Sequence, residues 1–160
     1  MAEKHVLPSA EQITKIVVGL FGEDAIVRTA KSPCDLNDPI VVAKYTNDES
    51  ELQRLVVCDV AFANNAGAAL TMISPGVVAD AIKAKEIPDN ICDNFREVMN
   101  IFVNAFPETS RGRLVLNGIN LPAETKDEPT TKAIAAPVER VDFEVTVPRY
   151  GAGRLTLLAC

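Results

Sequence analysis

Between residues 88 and 106, five large apolar side chains, Ile91, Phe95, Val98, Phe102 and Phe106, recur at steps of four, three, four and four. At about 100° per residue these steps fall on one stripe of a helix. Diametrically opposite stand Asp93, Glu97, Asn100 and Asn104, at steps of four, three and four, so they are neighbours along the outer surface. The pattern predicts one helix over 88–106, opened by Pro88-Asp89 and stopped by Pro107. A helix with a single apolar stripe needs a second layer to cover it, and the rest of the chain must supply that layer.

Short runs rich in Val, Ile and Thr do so. Residues 25–30, 40–46, 52–61 and 66–73 are predicted as strands. The last two form a hairpin turned by Asn64-Asn65-Ala66-Gly67, because Asn and Gly adopt the left-handed backbone of tight turns. Three more strands are predicted over 114–119, 140–147 and 154–158. Ile13, Ile16, Val17, Leu20 and Phe21 mark an opening helix over 9–21, begun at Ser9 or Pro8 and ended by Gly22. Ser74-Pro75 supplies an N-cap and a first-turn proline for another helix, reaching about Lys85. With three prolines and many charged residues, the stretch at about 121–138 reads as a long exposed loop. The order is helix, four strands, two helices, three strands. It predicts one domain over 1–160 of α/β (α+β) class, with a largely antiparallel sheet and helices on one side. Residue matches between the two helix-then-strands halves are too weak to define an internal repeat.

Composition narrows the function. With 48% hydrophobic against 24% charged residues the chain buries a core. Its 22 Asp plus Glu against 16 Lys plus Arg give a net charge of −6, the wrong sign for nucleic acid or an anionic membrane surface as a partner. No apolar run approaches the ~18 residues of a bilayer span, and the start lacks the layout of a secretory signal, so the expected location is cytoplasmic. Cys34, Cys58, Cys92 and Cys160 form no Cys-x-x-Cys pair and are expected as reduced thiols. His5, the only histidine, sits near a terminus, which leaves no imidazole-based triad or metal site. Arg111-Gly112-Arg113 and Tyr150-Gly151-Ala152-Gly153 open no predicted helix that could supply phosphate-binding N–H groups, and both read as structure.

Any amphipathic helix has a polar face, and four polar residues on it need no purpose. Asn is nevertheless a mediocre helix former, and two stand at interior positions here. Asp93-Asn94-Phe95-Arg96-Glu97-Val98-Met99-Asn100, followed by Pro122 after twenty-one intervening residues, resembles the signature of the CheC/CheX/FliY family of chemotaxis phosphatases. That signature has an acid or serine, Glu four on, Asn three further, and Pro about two dozen residues later. The order of elements is similar to CheX over nearly the whole chain. Only one such motif is visible, since Glu11-Gln12-Ile13-Thr14 of the first helix has Thr where Asn is needed. Met99 stands where the family usually has a small residue, and Ile101-Phe102-Val103 replaces the small residues that commonly follow.

The resemblance implies a phosphatase that hydrolyses the aspartyl phosphate of a phosphorylated CheY-type response regulator. Such hydrolysis needs a water placed in line with the scissile bond, and charge neutralisation on the phosphoryl oxygens. A carboxamide such as Asn100 orients water without repelling the phosphoryl group. Glu97 would pair with the regulator's active-site lysine, and Asp93 and Asn104 would extend the contact with that partner. The Mg²⁺ and the phosphorylated carboxylate belong to the partner, so no cofactor or metal bound by this chain is expected. CheX-like members pair through their sheets, and the strand-rich close of the chain would allow a homodimer. Two alternatives stand beside this reading. One is a non-catalytic module of the same fold, binding a response regulator or a flagellar or signalling partner. The other is an unrelated α+β domain in which the Glu-Asn pair is accidental.

Overall fold

The computed structural model describes residues 7–30, 39–106, 114–122 and 124–160. His5, Cys34, Pro107 and the Arg111-Gly112-Arg113 run lie outside them. The helix α1 (Ala10–Phe21) begins where Ser9 and Gln12 cap each other. The Gln12 N–H donates to Ser9 Oγ at 3.3 Å and the Ser9 N–H to Gln12 Oε1 at 2.8 Å, which satisfies two donors that a helix start otherwise leaves free. Gly22 ends it at φ 105°, backbone that a Cβ would strain. The strands β1 (Ile26–Thr29), β2 (Ile40–Thr46) and β3 (Leu52–Asp59) follow.

Together with β4 (Val115–Asn120), β5 (Glu139–Val147) and β6 (Gly151–Ala159) they form one antiparallel sheet in the order β1-β5-β6-β3-β2-β4. Exchanging β1 with β4, β2 with β5 and β3 with β6 gives the same order read backwards. Each half is led by a helix, α1 before β1 and α4 (Asp89–Phe102) before β4. The two halves therefore share a topology that residue matches do not reveal, because different apolar side chains fill equivalent strand and helix positions.

Alternate strand residues, among them Val41, Ala43, Tyr45, Val56, Cys58, Phe143, Val145, Leu155 and Leu157, face the helices and build the main core with Ile13, Phe62, Phe95, Phe102 and Met99. The expected α+β class with its antiparallel sheet is what the chain adopts. The helices α1, α4, α2 (Val60–Leu70) and α3 (Pro75–Ala84) contribute to that core on one face. One further helix, α5 (Glu128–Ala135), lies on the other face, where Ala133 and Ile134 pack with Ile40, Val42, Leu55, Val57 and Leu158.

Three expectations need correction. Residues 66–73 are not a strand, and Asn64-Asn65-Ala66-Gly67 is not a hairpin turn; the segment belongs to α2 and its C-terminal turn. Asp59 starts this helix by accepting from the Phe62 N–H at 2.8 Å. Asn64 and Asn65 are buried, with their Nδ2 groups donating to Val60 O, Glu86 O and Gly151 O at 2.9–3.2 Å. Gly67 serves close packing, since a Cβ there would lie 2.4 Å from Ile91 O. The stretch at 121–138 is not all loop, because α5 occupies its second half. Asp127 caps α5 by accepting from the Thr130 N–H at 2.9 Å, and Pro129 sits in the first turn, where its missing N–H costs nothing. Finally, α4 ends at Phe102 and tightens into a 3₁₀ turn over Val103–Ala105, so the α-helix is shorter than the 88–106 predicted.

Candidate functional site

The informative helix, α4, is held from below. Ile91, Phe95, Val98, Met99 and Phe102 are buried, and the stripe read from sequence is the docked face. Two polar contacts fix its position. The buried Tyr45 hydroxyl, rising from β2, donates to Met99 O at 2.6 Å. On the flank, Asn94 Nδ2 donates to Gly67 O at 2.9 Å and to Thr71 Oγ1 at 2.8 Å, tying α4 to the end of α2. The closeness permitted by Gly67 at Ile91 brings those groups within reach.

Asp93, Glu97, Asn100 and Asn104 are all exposed. The first three stand on the regular part of α4, whereas Asn104 sits on the 3₁₀ turn beyond it. Glu97 and Asn100, three residues apart on unbroken helix, share one turn of the outer face. Met99 is fully buried, with its sulfur 3.8 Å from the Tyr45 hydroxyl; the bulky residue before Asn100 fills core and does not crowd the surface. Phe102 is also buried, and Ile101 is 40% exposed.

The face is acidic. Asp89, Asp93 and Glu97 are exposed, with Arg96 as the cation among them. Partial burial pushes the Cys92 thiol up; Arg96 opposes this, while Asp93, Asp89 and Glu124 add to it. The strand β4 packs against α4, and the segment after it starts from there. There Glu124 Oε1 accepts from the Leu121 N–H at 2.7 Å and closes a turn around the half-buried Pro122. The downstream proline of the motif thus lies in a turn beside the helix that carries the Glu and Asn.

The corresponding helix of the first half, α1, presents no such pair. Thr14 Oγ1 donates to Ala10 O at 2.7 Å, and Gln12 is engaged in the cap. Among the described residues no cluster of three His, Cys, Asp or Glu could hold a metal ion, and no helix is long and apolar enough to cross a membrane. Sequence reasoning missed Tyr45, Asn94 and Glu124. Of these only Asn94 carried a signal, as a polar residue at the border of the apolar stripe.

No protein-family model matches the sequence, and no curated protein sequence matches it. Solved structures do. A chain of the FliM–SpeE complex from H. pylori superposes with a TM-score of 0.62 at 8% identity, covering 94% of this chain and 80% of that one. The CheX–CheY–BeF3–Mg complex from Borrelia burgdorferi gives a TM-score of 0.50 at 8% identity, covering 92% of each chain. FliY from Thermotoga maritima gives 0.50 at 10% identity, covering 96% of this chain and 85% of that one. The chain has the fold seen in the FliM, CheX and FliY structures.

Proposed function

We propose that this chain is a CheX-like phosphatase that removes the phosphoryl group from the active-site aspartate of a CheY-type response regulator. The observation that carries the reading is the pairing of Glu97 and Asn100, exposed together on one turn of a helix whose backbone is fixed from below by Tyr45. Asn100 enters the regulator's site and orients a water in line with the P–O bond, by accepting from it through Oδ1 and donating through Nδ2. The acyl phosphate then hydrolyses, giving the aspartate carboxylate and inorganic phosphate. Glu97 sets the register by pairing with a lysine beside that aspartate, and Asp93 and Asn104 extend the contact. The Mg²⁺ is held by the regulator. Two copies associate through the outermost strands of the sheet, which among the described residues are β1 and β4.

A second reading, a non-catalytic module that binds a regulator or flagellar partner, is favoured by the higher TM-score of the FliM–SpeE chain. The two are separated by mixing the chain with phosphorylated CheY-type regulators and Mg²⁺, and following phosphate release and complex formation independently. Accelerated release supports the phosphatase, whereas complex formation with unchanged release supports the binding module. Neither release nor binding would reject both.

A further inference from the structure

The turn that ends α2 carries a residue that neither the backbone nor the core explains. Thr71 caps the helix, the Ile73 N–H returns to Ala68 O at 3.0 Å, and Met72 between them is left-handed at φ 54°. Helices that end this way favour glycine at that position, because a Cβ is strained there. The Met72 side chain is 70% exposed, so burial offsets none of that strain.

The mount is stiff. Asn94 of α4 donates to Thr71 Oγ1 at 2.8 Å on one side of Met72, and the Tyr150 hydroxyl donates to Ile73 O at 2.6 Å on the other. Strained residues held by surrounding structure concentrate at ligand contacts, and a pre-ordered side chain lowers the entropic cost of association. Position gives the contact its partner. Asn94, Glu97 and Ile101 follow one another at steps of three and four along one side of α4. Thr71 touches the first of them and Ile101 is 40% exposed. Exposed apolar residues thus stand at both ends of the row that contains Glu97.

We infer that Met72 is an apolar anchor for the phosphorylated response regulator, seated in an apolar hollow beside the lysine that Glu97 pairs with. The inference rests on the regulator-binding reading above and adds a specificity-determining residue to it. Charge complementarity selects this occupant. Glu97 stands one turn along α4 from the Asn94 that holds Thr71, exposed; its charge calls for a basic group on the partner, and a buried thioether next to such an ion pair excludes water from it.

The test compares the wild-type chain with Met72→Gly, Met72→Leu and Glu97→Ala. Thermal unfolding is followed alongside binding to CheY-type regulators held as the beryllofluoride–Mg²⁺ complex, which does not hydrolyse. Met72→Gly should raise the unfolding midpoint by about 2 °C, since it relieves the left-handed strain. The same variant should weaken binding on the order of tenfold, the scale of losing one buried apolar side chain. Met72→Leu should restore binding. If Met72→Gly binds like wild type while Glu97→Ala binds less, the anchor is wrong and the regulator reading stands. Met72→Gly losing stability and binding together would make Met72 a structural residue and overturn the inference. A change in mass of the chain alone by light scattering, with regulator binding intact, would assign the turn to a second copy. If the wild-type chain binds no regulator, the inference falls together with the reading on which it rests.

Discussion

Asn100 is useful for hydrolysis only if its amide is held still, and its own side chain contributes nothing to that. The constraint comes from one residue earlier, where Met99 O accepts from the Tyr45 hydroxyl at 2.6 Å. Burial, and then the nearby Cys58, push the Tyr45 phenol well above its ordinary value, so it stays protonated as a donor. Tyr45→Phe removes that donor and keeps the ring that packs on Phe106 at 5.3 Å between centroids. The variant should lose about 1–3 kcal/mol of stability by urea titration. A positioning role further predicts a lower kcat with nearly unchanged KM, because the regulator still docks on an outer face that Tyr45 does not touch. A fall in stability with kcat preserved would leave Tyr45 a purely structural residue. Glu97, exposed on the outer face, should behave differently. Glu97→Ala should weaken association with the regulator and flatten its salt dependence, as measured by titration at two ionic strengths. An unchanged salt slope would remove the lysine pairing.

At the scale of elements, the fold depends on α2 fitting between α4 and the sheet. Gly67→Ala would set a Cβ 2.4 Å from Ile91 O and 2.8 Å from Ile91 Cγ2. The backbone oxygen cannot step aside as a flexible side chain could, so the substitution should cost about 1–3 kcal/mol and lower the urea midpoint. That same helix was illegible in the sequence for a physical reason. With Val60, Phe62 to Ala68 all buried, it has no polar face to generate a helical period, and Asn64, Asn65 and Gly67 carry the chemistry of a turn. The helix α5 was hidden differently, since proline and charge suit a first helical turn as well as a loop. By contrast α1, α3 and α4 were legible because each has one wet and one dry face or a clear cap, and most strands because their short runs are rich in Val, Ile and Thr. Asp127 provides a test of α5. Hydrogen bonding from Thr130, and beyond it Lys44 at 3.6 Å, lower its carboxyl below the ordinary 3.8. Its stabilisation is therefore complete above the ordinary carboxylate value and is lost as pH falls through the lowered one. Asp127→Ala should cost about 1 kcal/mol near neutrality, and the gap to wild type should narrow in thermal melts taken at progressively lower acid pH. A gap constant with pH would mean that the cap does not act through its charge.

Over the whole molecule, the sheet order is symmetric and the chemistry is not. The two halves share a topology, yet α4 presents a carboxylate and a carboxamide together, whereas α1 has the exposed Glu11 but Thr14 in the carboxamide's place, with its hydroxyl bonded to Ala10 O. The Glu97-Asn100 pair was legible in sequence because it needs only helical spacing. The supports beneath it were not, since Tyr45 and Met99 lie 54 residues apart in the chain and no local pattern joins them. In the proposed function, Asn100 performs the hydrolytic step from a surface that receives a regulator. The measurement that reaches it most directly is the dephosphorylation rate of a phosphorylated CheY-type regulator with Mg²⁺, at saturating wild-type chain and at saturating Asn100→Ala, with binding determined in parallel. Expected in the variant are nearly unchanged binding and a rate lowered on the order of 10²-fold. Equal rates for the two proteins, both above the regulator's spontaneous rate, would contradict it.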